Sequence, residues 1–415
     1  MKRRVVITGL GVVTPLGNDV STFWDALLEG RSGAGPITQF DPAELEVRIA
    51  AEVKDFDPVA LFGKRGARRN DRFTHFALEA ARQAITNADL KFEGGDAQKV
   101  GVLIGTGIGG VITLLNNFEI FQADGSRRVS PFMVPMMMPN AASAAVAITY
   151  GLHGPNLTIS SACATGSHAI SEAGEMIRRG HSELMICGGS EAIIAPIAIA
   201  GLKNMGALST RNDDPQRASR PFDAERDGFV MGEGAGVLIL ESLEHASARK
   251  ARIYCELAGQ GATSDAFHIT APDETGQGAA WAMEQALSDA GITPEEVDYI
   301  NAHGTSTPLN DRTETIAIRT VFGPHADQLA VSSTKSMIGH LIGAAGAVEA
   351  VACVKSLETG WVHPTINYET PDPECDLDYV PNQARRLEPK IILSNSFGFG
   401  GHNSCVILRQ WEETA

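Results

Sequence analysis

The stretch Leu157-Thr-Ile-Ser-Ser-Ala-Cys-Ala-Thr-Gly-Ser-His168 decides how the rest of the chain is read. Leu157 to Ile159 is apolar and β-branched and follows the breaker pair Gly154-Pro155, which predicts a short buried strand. From Ala164 a run of small residues continues to Arg178-Arg179 with Gly180 as the stop, which predicts a helix. Its inward stripe is Ile170, Ala173, Gly174 and Ile177, small enough for close approach to its neighbours. Cys163 therefore falls at a strand-to-helix turn, beside unpaired N–H groups and the positive end of the helix dipole, where thiolate is favoured over thiol. A buried structural cysteine fits the same position, so position alone leaves both readings open.

Composition sets the bounds. A chain of 415 residues is too long for one small core, and two fused halves are expected, 1–250 with insertions and 251–411. With 43 glycines and only 20% charged residues, it suits an α/β protein with many tight turns rather than a disordered one. The longest apolar run, Ala192 to Leu202, is interrupted by Pro196, and the opening Met-Lys-Arg-Arg leads into a strand with no signal-peptide core. Six cysteines (163, 187, 255, 353, 375, 405) stand 22 to 98 positions apart with no C-x-x-C. Neither disulfides nor a zinc site is suggested, and a reducing cytoplasm is expected.

The net charge of −16 argues against nucleic acid or an anionic membrane as main partner. Against that background Lys64, Arg65, Arg68, Arg69 and Arg72 fall within nine residues containing one acid, Asp71. On a helix Arg65/Arg69 and Arg68/Arg72 are i,i+4 neighbours, and Arg127-Arg128 is a second basic pair. A solvated helix face is the plain reading; the density points instead to docking of an acidic partner.

Read in order, Val5-Val-Ile-Thr-Gly-Leu-Gly11 is a strand and turn without the third glycine of a dinucleotide fingerprint. A capped helix starts near Asp19, residues 30 to 70 read as irregular, 73–88 as helix, 99–110 as a strand entering a glycine-rich loop, and 111–150 as an insertion. The second half repeats the first. Gly9-x-Gly11 returns as Gly259-x-Gly261 (261 − 11 = 250), Ala77-Leu-Glu-Ala-Ala as Ala282-Met-Glu-Gln-Ala (284 − 79 = 205), and Val100 as Val297 (offset 197). Ser160-Ser161 returns as Ser332-Ser333 (332 − 160 = 172). The shared order predicts one βαβαβ unit used twice, with parallel sheets covered on both faces.

Three further segments end strands with reactive groups: His303-Gly-Thr-Ser-Thr-Pro308, Ser333-Thr-Lys335-Ser-Met-Ile-Gly-His340, and Asn395-Ser-Phe-Gly-Phe-Gly-Gly-His-Asn403. Sites in open parallel sheets form beyond the carboxyl ends of strands, where Cys163 also lies. Each histidine alone is equally a structural residue; one cysteine and two histidines at strand ends of duplicated halves are a more specific signal. A helix N-terminus and Lys335 beside His340 should disfavour imidazolium, leaving a neutral ring to donate from Nε2 to an oxyanion. Two such donors suit an enolate.

Ser160-Ser-Ala-Cys-Ala-Thr-Gly, His303-Gly-Thr-Ser-Thr, Lys335-Ser-Met-Ile-Gly-His340-Leu-Ile-Gly-Ala-Ala-Gly and Asn395-Ser-Phe-Gly-Phe-Gly-Gly together resemble the elongating β-ketoacyl-acyl-carrier-protein synthases, over nearly the whole chain. Gly107-Ile-Gly-Gly110 and Gly232-Glu-Gly-Ala-Gly236 resemble the synthase II branch more than synthase I. The resemblance implies an α/β, thiolase-like fold with duplicated halves in an αβαβα layered architecture. It implies fatty-acid chain elongation: Cys163 takes the acyl chain as a thioester, and His303 and His340 bind the malonyl thioester carbonyl as carbon dioxide leaves. It also implies an oxyanion hole from the N–H groups of Cys163 and Phe399, Lys335 paired with Glu314 near Asp311, and Thr305 and Thr307 on the phosphopantetheine arm. Phe399 would be a gate on glycine hinges, with Phe397 and Gly400 at the substrate.

Ile108 and the Met-rich segment from Phe132 would line the acyl tunnel, the latter from the partner subunit of a homodimer; ordinary core filling suits the Met run as well. Lys64, Arg65, Arg68, Arg69, Arg127 and Arg128 would dock the acidic carrier protein transiently. No cofactor is implied, because phosphopantetheine arrives on the carrier, and no catalytic metal; some relatives hold a structural cation near Asn301, Glu349 and Asn395. His402 stands where many members have Thr. A peptidase reading fails for want of a Gly-Thr-Ser-Met-Ala nucleophile context, and a degradative thiolase reading for want of a second reactive cysteine setting. A chain-length-factor partner would have lost Cys163; a polyketide ketosynthase would keep it.

Overall fold

The two strands carrying the Gly-x-Gly motifs lie side by side at the centre of the molecule. The computed structural model describes residues 3–92 and 94–412; Met1 and Lys2 of the opening segment lie outside them. Ten strands form the main sheet: β1 (Val5–Val13), β2 (Val100–Gly105), β3 (Asn156–Leu157), β4 (Leu184–Glu191), β5 (Gly234–Ser242), β6 (Cys255–Ser264), β7 (Tyr299–Asn301), β8 (Ala330–Ser332), β9 (Ile391–Gly398) and β10 (His402–Gln410). Their order is β8-β7-β9-β10-β6-β1-β5-β4-β2-β3. β1 and β6 meet through two residue pairs only, Val6–Glu256 and Ile7–Cys255, so two five-stranded sheets join at a seam.

The duplication is visible in the strand order. Counted along the chain, both halves run 3-2-4-5-1 in space. In each, the second strand pairs parallel with the third and fourth, and the fifth pairs antiparallel with the fourth and first. The sheets are thus mixed, not parallel throughout as expected. In the second half the connection from β9 to β10, residues 399–401, is too short for a parallel crossover and makes a hairpin.

Helices α1 (Arg72–Asn87), α2 (Thr165–Arg178), α3 (Gln277–Ala290) and α4 (Ala345–Thr359) complete the layers. α1 covers the outer face of the first sheet and α3 that of the second, while α2 and α4 fill the space between. This is the αβαβα arrangement. The repeated glycines and alanine-rich helices turn out to be packing partners. A Cβ on Gly9 would lie 2.8 Å from Ala88 Cβ on the first outer layer, and one on Gly259 would lie 2.7 Å from Ala290 Cβ on the second. Between the central helices, a Cβ on Gly166 would lie 2.6 Å from the Ala347 nitrogen. Side chains there would overpack a contact that the small residues allow.

Several expectations change. The strand at 157 covers Asn156–Leu157 only, and Leu157 is 47% exposed, because β3 is an edge strand. Residues 30–70 contain a helix, Pro58–Arg69, capped by Asp57 and broken at Gly63 with φ +68. It ends at Asn70, and Asp71 caps α1. Arg68 and Arg72 therefore belong to different helices; Arg72 turns inward to Glu233 at 2.6 Å. The insertion carries helices Val111–Asp124, Met133–Met137 and Ala141–Tyr150. No helix among the described residues is long and apolar enough to cross a membrane, and all six cysteines are free and buried.

Candidate active site

The turn before α2 places the sulfur. Ala162 sits at φ +50, a strained conformation for a non-glycine residue, and leads a 3₁₀ turn Ala162–Ala164 into the helix. Thr165 Oγ1 accepts the Ser161 N–H at 2.8 Å and holds the turn from inside. As expected, α2 stops at Arg178, with Arg179 as its cap and Gly180 at φ +76, and Ile170, Ala173, Gly174 and Ile177 are buried.

The second half repeats that turn with a change. Ile342 sits at φ +46 and leads the 3₁₀ turn Ile342–Ala344 into α4. The offset is 342 − 162 = 180, not the 172 separating the serine pairs, so 180 − 172 = 8 extra residues stand between the serine pair and the turn. They carry the short helix Lys335–Ile338 and then His340, whose main chain is pinned between Val230 and Gly232 (2.7 and 2.9 Å).

Three groups converge. Cys163 Sγ and one ring nitrogen each of His303 and His340 all lie within 4.8 Å of one another, all three residues being buried. The imidazoles meet edge to face, centroids 5.4 Å apart, with Phe229 against His340 and Phe397 against His303. They form one end of a cavity of about 320 Å³, which Thr305, Thr307, Phe397, Gly398 and Phe399 also line. Asp265, Thr270, Phe229 and Asn403 line it too, unforeseen from the sequence.

Burial dominates the electrostatics. It pushes the Cys163 thiol up to about 11, opposed by the Phe399 N–H and the Lys335 charge and assisted by Glu191. The sulfur therefore rests as thiol, contrary to the expectation from the helix dipole: full desolvation outweighs the dipole. Both histidines are held well below the ordinary imidazole range, by burial first and then by Lys335, with His340 adding to the effect on His303. His340 Nδ1 accepts the Ile342 N–H at 3.3 Å, which assigns the ring proton to Nε2, a buried atom with no partner among the described residues. The neutral ring is as expected, with burial as its main cause.

Lys335 corrects a second expectation. Its Nζ pairs with Glu349, not Glu314. Glu314 accepts the main-chain N–H groups of His303 and Gly304 (2.8 and 2.7 Å) and the side-chain amide N–H of Asn395 (3.1 Å), and burial pushes it up to about 7. Asp311 accepts from Phe222 and Ser306 (2.8 and 3.2 Å). Both acids thus fix the His303 loop. Thr305 and Thr307 hydroxyls bond each other at 2.9 Å, and Thr307 also caps the helix Pro308–Phe322. In the loop after β9, Gly400 N–H donates to Ile269 O (2.8 Å), Gly401 O accepts from Asp265 (3.0 Å), and His402 is exposed.

Other expected residues lie apart. Ile108 and Phe132 are outside the cavity, 48% and 41% exposed. Lys64, Arg65, Arg68, Arg69, Arg127 and Arg128 are exposed and form no ion pair among the described residues; the Arg69 guanidinium stacks over the Phe132 ring at 4.8 Å. Of the expected cation ligands, Asn301 Oδ1 and Glu349 Oε2 are buried without a partner among the described residues, whereas Asn395 Oδ1 accepts from Cys405. Two free oxygens fit a hard cation.

Residues 2–246 match the family model described as Beta-ketoacyl synthase, N-terminal domain, and residues 254–369 match Beta-ketoacyl synthase, C-terminal domain. A 3-oxoacyl-acyl-carrier-protein synthase 2 of Synechocystis sp. is 54% identical over 411 residues, 99% of each chain. One of Coxiella burnetii is 51% identical, covering 98% of each. Among solved structures, a type II polyketide synthase acyl-carrier protein in complex with its ketosynthase matches with a TM-score of 0.92 at 38% identity, covering 99% of this chain and 100% of the other.

Proposed function

The chain belongs to the β-ketoacyl synthase family, and from that premise we propose that it elongates acyl chains by decarboxylative Claisen condensation on acyl-carrier protein, in fatty-acid synthesis. The observation that carries this reading is the meeting of Cys163 with two neutral imidazoles inside 4.8 Å.

The Cys163 sulfur attacks the acyl thioester; its proton leaves with the phosphopantetheine thiol, and the acyl group stays on sulfur. The N–H groups of Cys163 and Phe399 face the oxyanion formed on the way. Malonyl thioester then enters. Its C–C bond breaks, carbon dioxide departs, and the electron pair remains as an enolate whose oxygen accepts from His303 and His340. Neutral rings serve here because they donate without needing to give up a proton. The carbanion attacks the acyl-enzyme, the C–S bond breaks with its electron pair on sulfur, the sulfur takes a proton from water, and a 3-oxoacyl carrier two carbons longer leaves with the Cys163 thiol restored. Burial first, and the Lys335 charge second, keep both imidazoles uncharged, while Glu349 pairs with that buried ammonium. Thr305 and Thr307 face the arm, which the carrier brings, so no resident cofactor is needed.

Lys64, Arg65, Arg68, Arg69, Arg127 and Arg128 are cations free to meet an acidic carrier. The exposed Leu114, Phe118, Phe121 and Val134 of the insertion, with edge residue Leu157, form the face on which a second copy would make a homodimer and enclose the Ile108 and Phe132 side. Asn301 Oδ1 and Glu349 Oε2 would hold a structural cation. A cytoplasmic setting suits six free cysteines.

Intact mass after incubation with acyl-carrier substrates tests the reading. One acyl adduct is expected, lost in Cys163→Ala together with condensation; an unmodified wild-type protein points to a chain-length-factor partner instead.

A further inference from the structure

The duplicated turn has a second occupant. In the first copy the residue after the strained position is Cys163; in the second it is Gly343. The Gly343 N–H does not face a cavity. It donates to Glu191 at 3.0 Å, and the same carboxylate takes the N–H of Gly107 (2.6 Å), the N–H of Ile108 (3.3 Å) and the hydroxyl of Thr106 (2.9 Å). Glu191 is fully buried, and no lysine or arginine pairs with it among the described residues. A buried carboxylate without a cation is costly, and four donors from two halves of the molecule are what offsets that cost. A Cβ on Gly343 would lie 2.7 Å from Glu191 Oε2, so the glycine is what makes room. The donor set that faces a transient oxyanion at Cys163 is here filled permanently from within.

What the carboxylate ties together matters for the acyl side. The Thr106–Ile108 loop leans on the nucleophile turn: Thr106 N–H donates to Ile159 O (3.2 Å), and the Ser160 hydroxyl donates to Gly107 O (3.1 Å). Ile342, next to Gly343, packs with Cys163, Ile193 and Phe399 in one apolar cluster, and Glu191 leads directly into Ala192-Ile193-Ile194. His340 has main-chain anchors of its own at Val230 and Gly232.

We infer that Glu191 is a positioning residue for the acyl chain: its carboxylate locks the Thr106–Ile108 loop to the Gly343 turn beside Cys163 and so sets which chain lengths the sulfur accepts. This rests on the condensing reading above. On the malonyl side His340 shares only the Ile342 N–H with this turn and keeps its main-chain bonds to Val230 and Gly232, so it is expected to change less.

The test is Glu191→Gln, whose amide N–H would confront donors while its size is kept. Acylation of Cys163 is followed by intact mass with C4, C8 and C16 acyl carriers, alongside carbon dioxide release from malonyl carrier. The C16-to-C4 acylation ratio is expected to fall about tenfold or more, with decarboxylation kept within about threefold. A wild-type ratio, or both half-reactions falling in parallel, overturns the inference. Should Glu191→Gln fail to fold, Thr106→Val removes one donor and leaves the carboxylate; a smaller shift in the same direction supports the inference and an unchanged ratio overturns it. Absence of any adduct on wild type overturns the condensing reading and the inference with it, whereas an adduct with an unchanged ratio overturns the inference alone.

Discussion

The turns before α2 and α4 have the same backbone, the same strained lead residue and the same small-residue helix behind them, yet one presents a sulfur and the other a bare main-chain N–H. The first copy reaches its turn directly from an edge strand. The second spends eight more residues between its serine pair and its turn, and those residues deliver Lys335 and His340. Duplication supplied two equivalent helix starts. Divergence gave chemistry to one, and made the other the wall against which the first is held. Strain of about 1–3 kcal/mol at each of Ala162 and Ile342 is affordable because the helices behind them interlock through Gly166 and Gly346.

The comparison can be broken most sharply at the sulfur. Cys163→Ala should lower condensation by about a thousandfold or more, since no other group at the site can carry the acyl chain; a rate assay with acyl and malonyl carriers checks it. Next is the buried pair of the second copy. Lys335→Ala leaves the Glu349 carboxylate buried and alone, so denaturant unfolding should show a loss of about 3–5 kcal/mol. A loss under about 1 kcal/mol would mean the pair is solvated.

The resting state of the sulfur gives a pH test. With the thiol at about 11, its thiolate fraction grows with pH throughout the accessible range. Alkylation of Cys163 by iodoacetamide should therefore rise about tenfold per unit between pH 7 and 9 without levelling. A plateau below pH 8 would restore the dipole-stabilised thiolate. The smallest effect belongs to the surface: Arg68→Glu should raise KM for carrier-bound substrate roughly five- to tenfold, with kcat and melting temperature nearly unchanged.

Much of this was legible in the sequence. The repeat was readable because Gly9, Gly11, Gly259 and Gly261 are each required by a helix packed on them, and packing of that kind leaves small residues at fixed order. Cys163, His303 and His340 were readable because strand ends are where such groups gather. Lys335's partner was not: Glu314 and Glu349 are both buried acids, on helices that pack in different cores, and only the fold decides which faces the ammonium. Asp265 and Thr270 reach the cavity from a loop with no periodicity to betray it, and Asn403 from the start of β10. The break between Arg68 and Arg72 had a signal, Asn70-Asp71 as a stop and a cap, which the run of charges masked. Leu157 has the pattern of a buried strand but lies at a sheet edge, a distinction that strand order alone makes.

The central claim is that a sulfur from one copy and imidazoles from the other divide one reaction within one cavity. The most direct measurement is carbon dioxide release from malonyl carrier by His303→Ala enzyme whose Cys163 has been acylated beforehand. The acyl adduct should remain while release falls by about a hundredfold or more, as loss of one oxyanion donor requires. Release at the wild-type rate from that loaded enzyme would contradict the account.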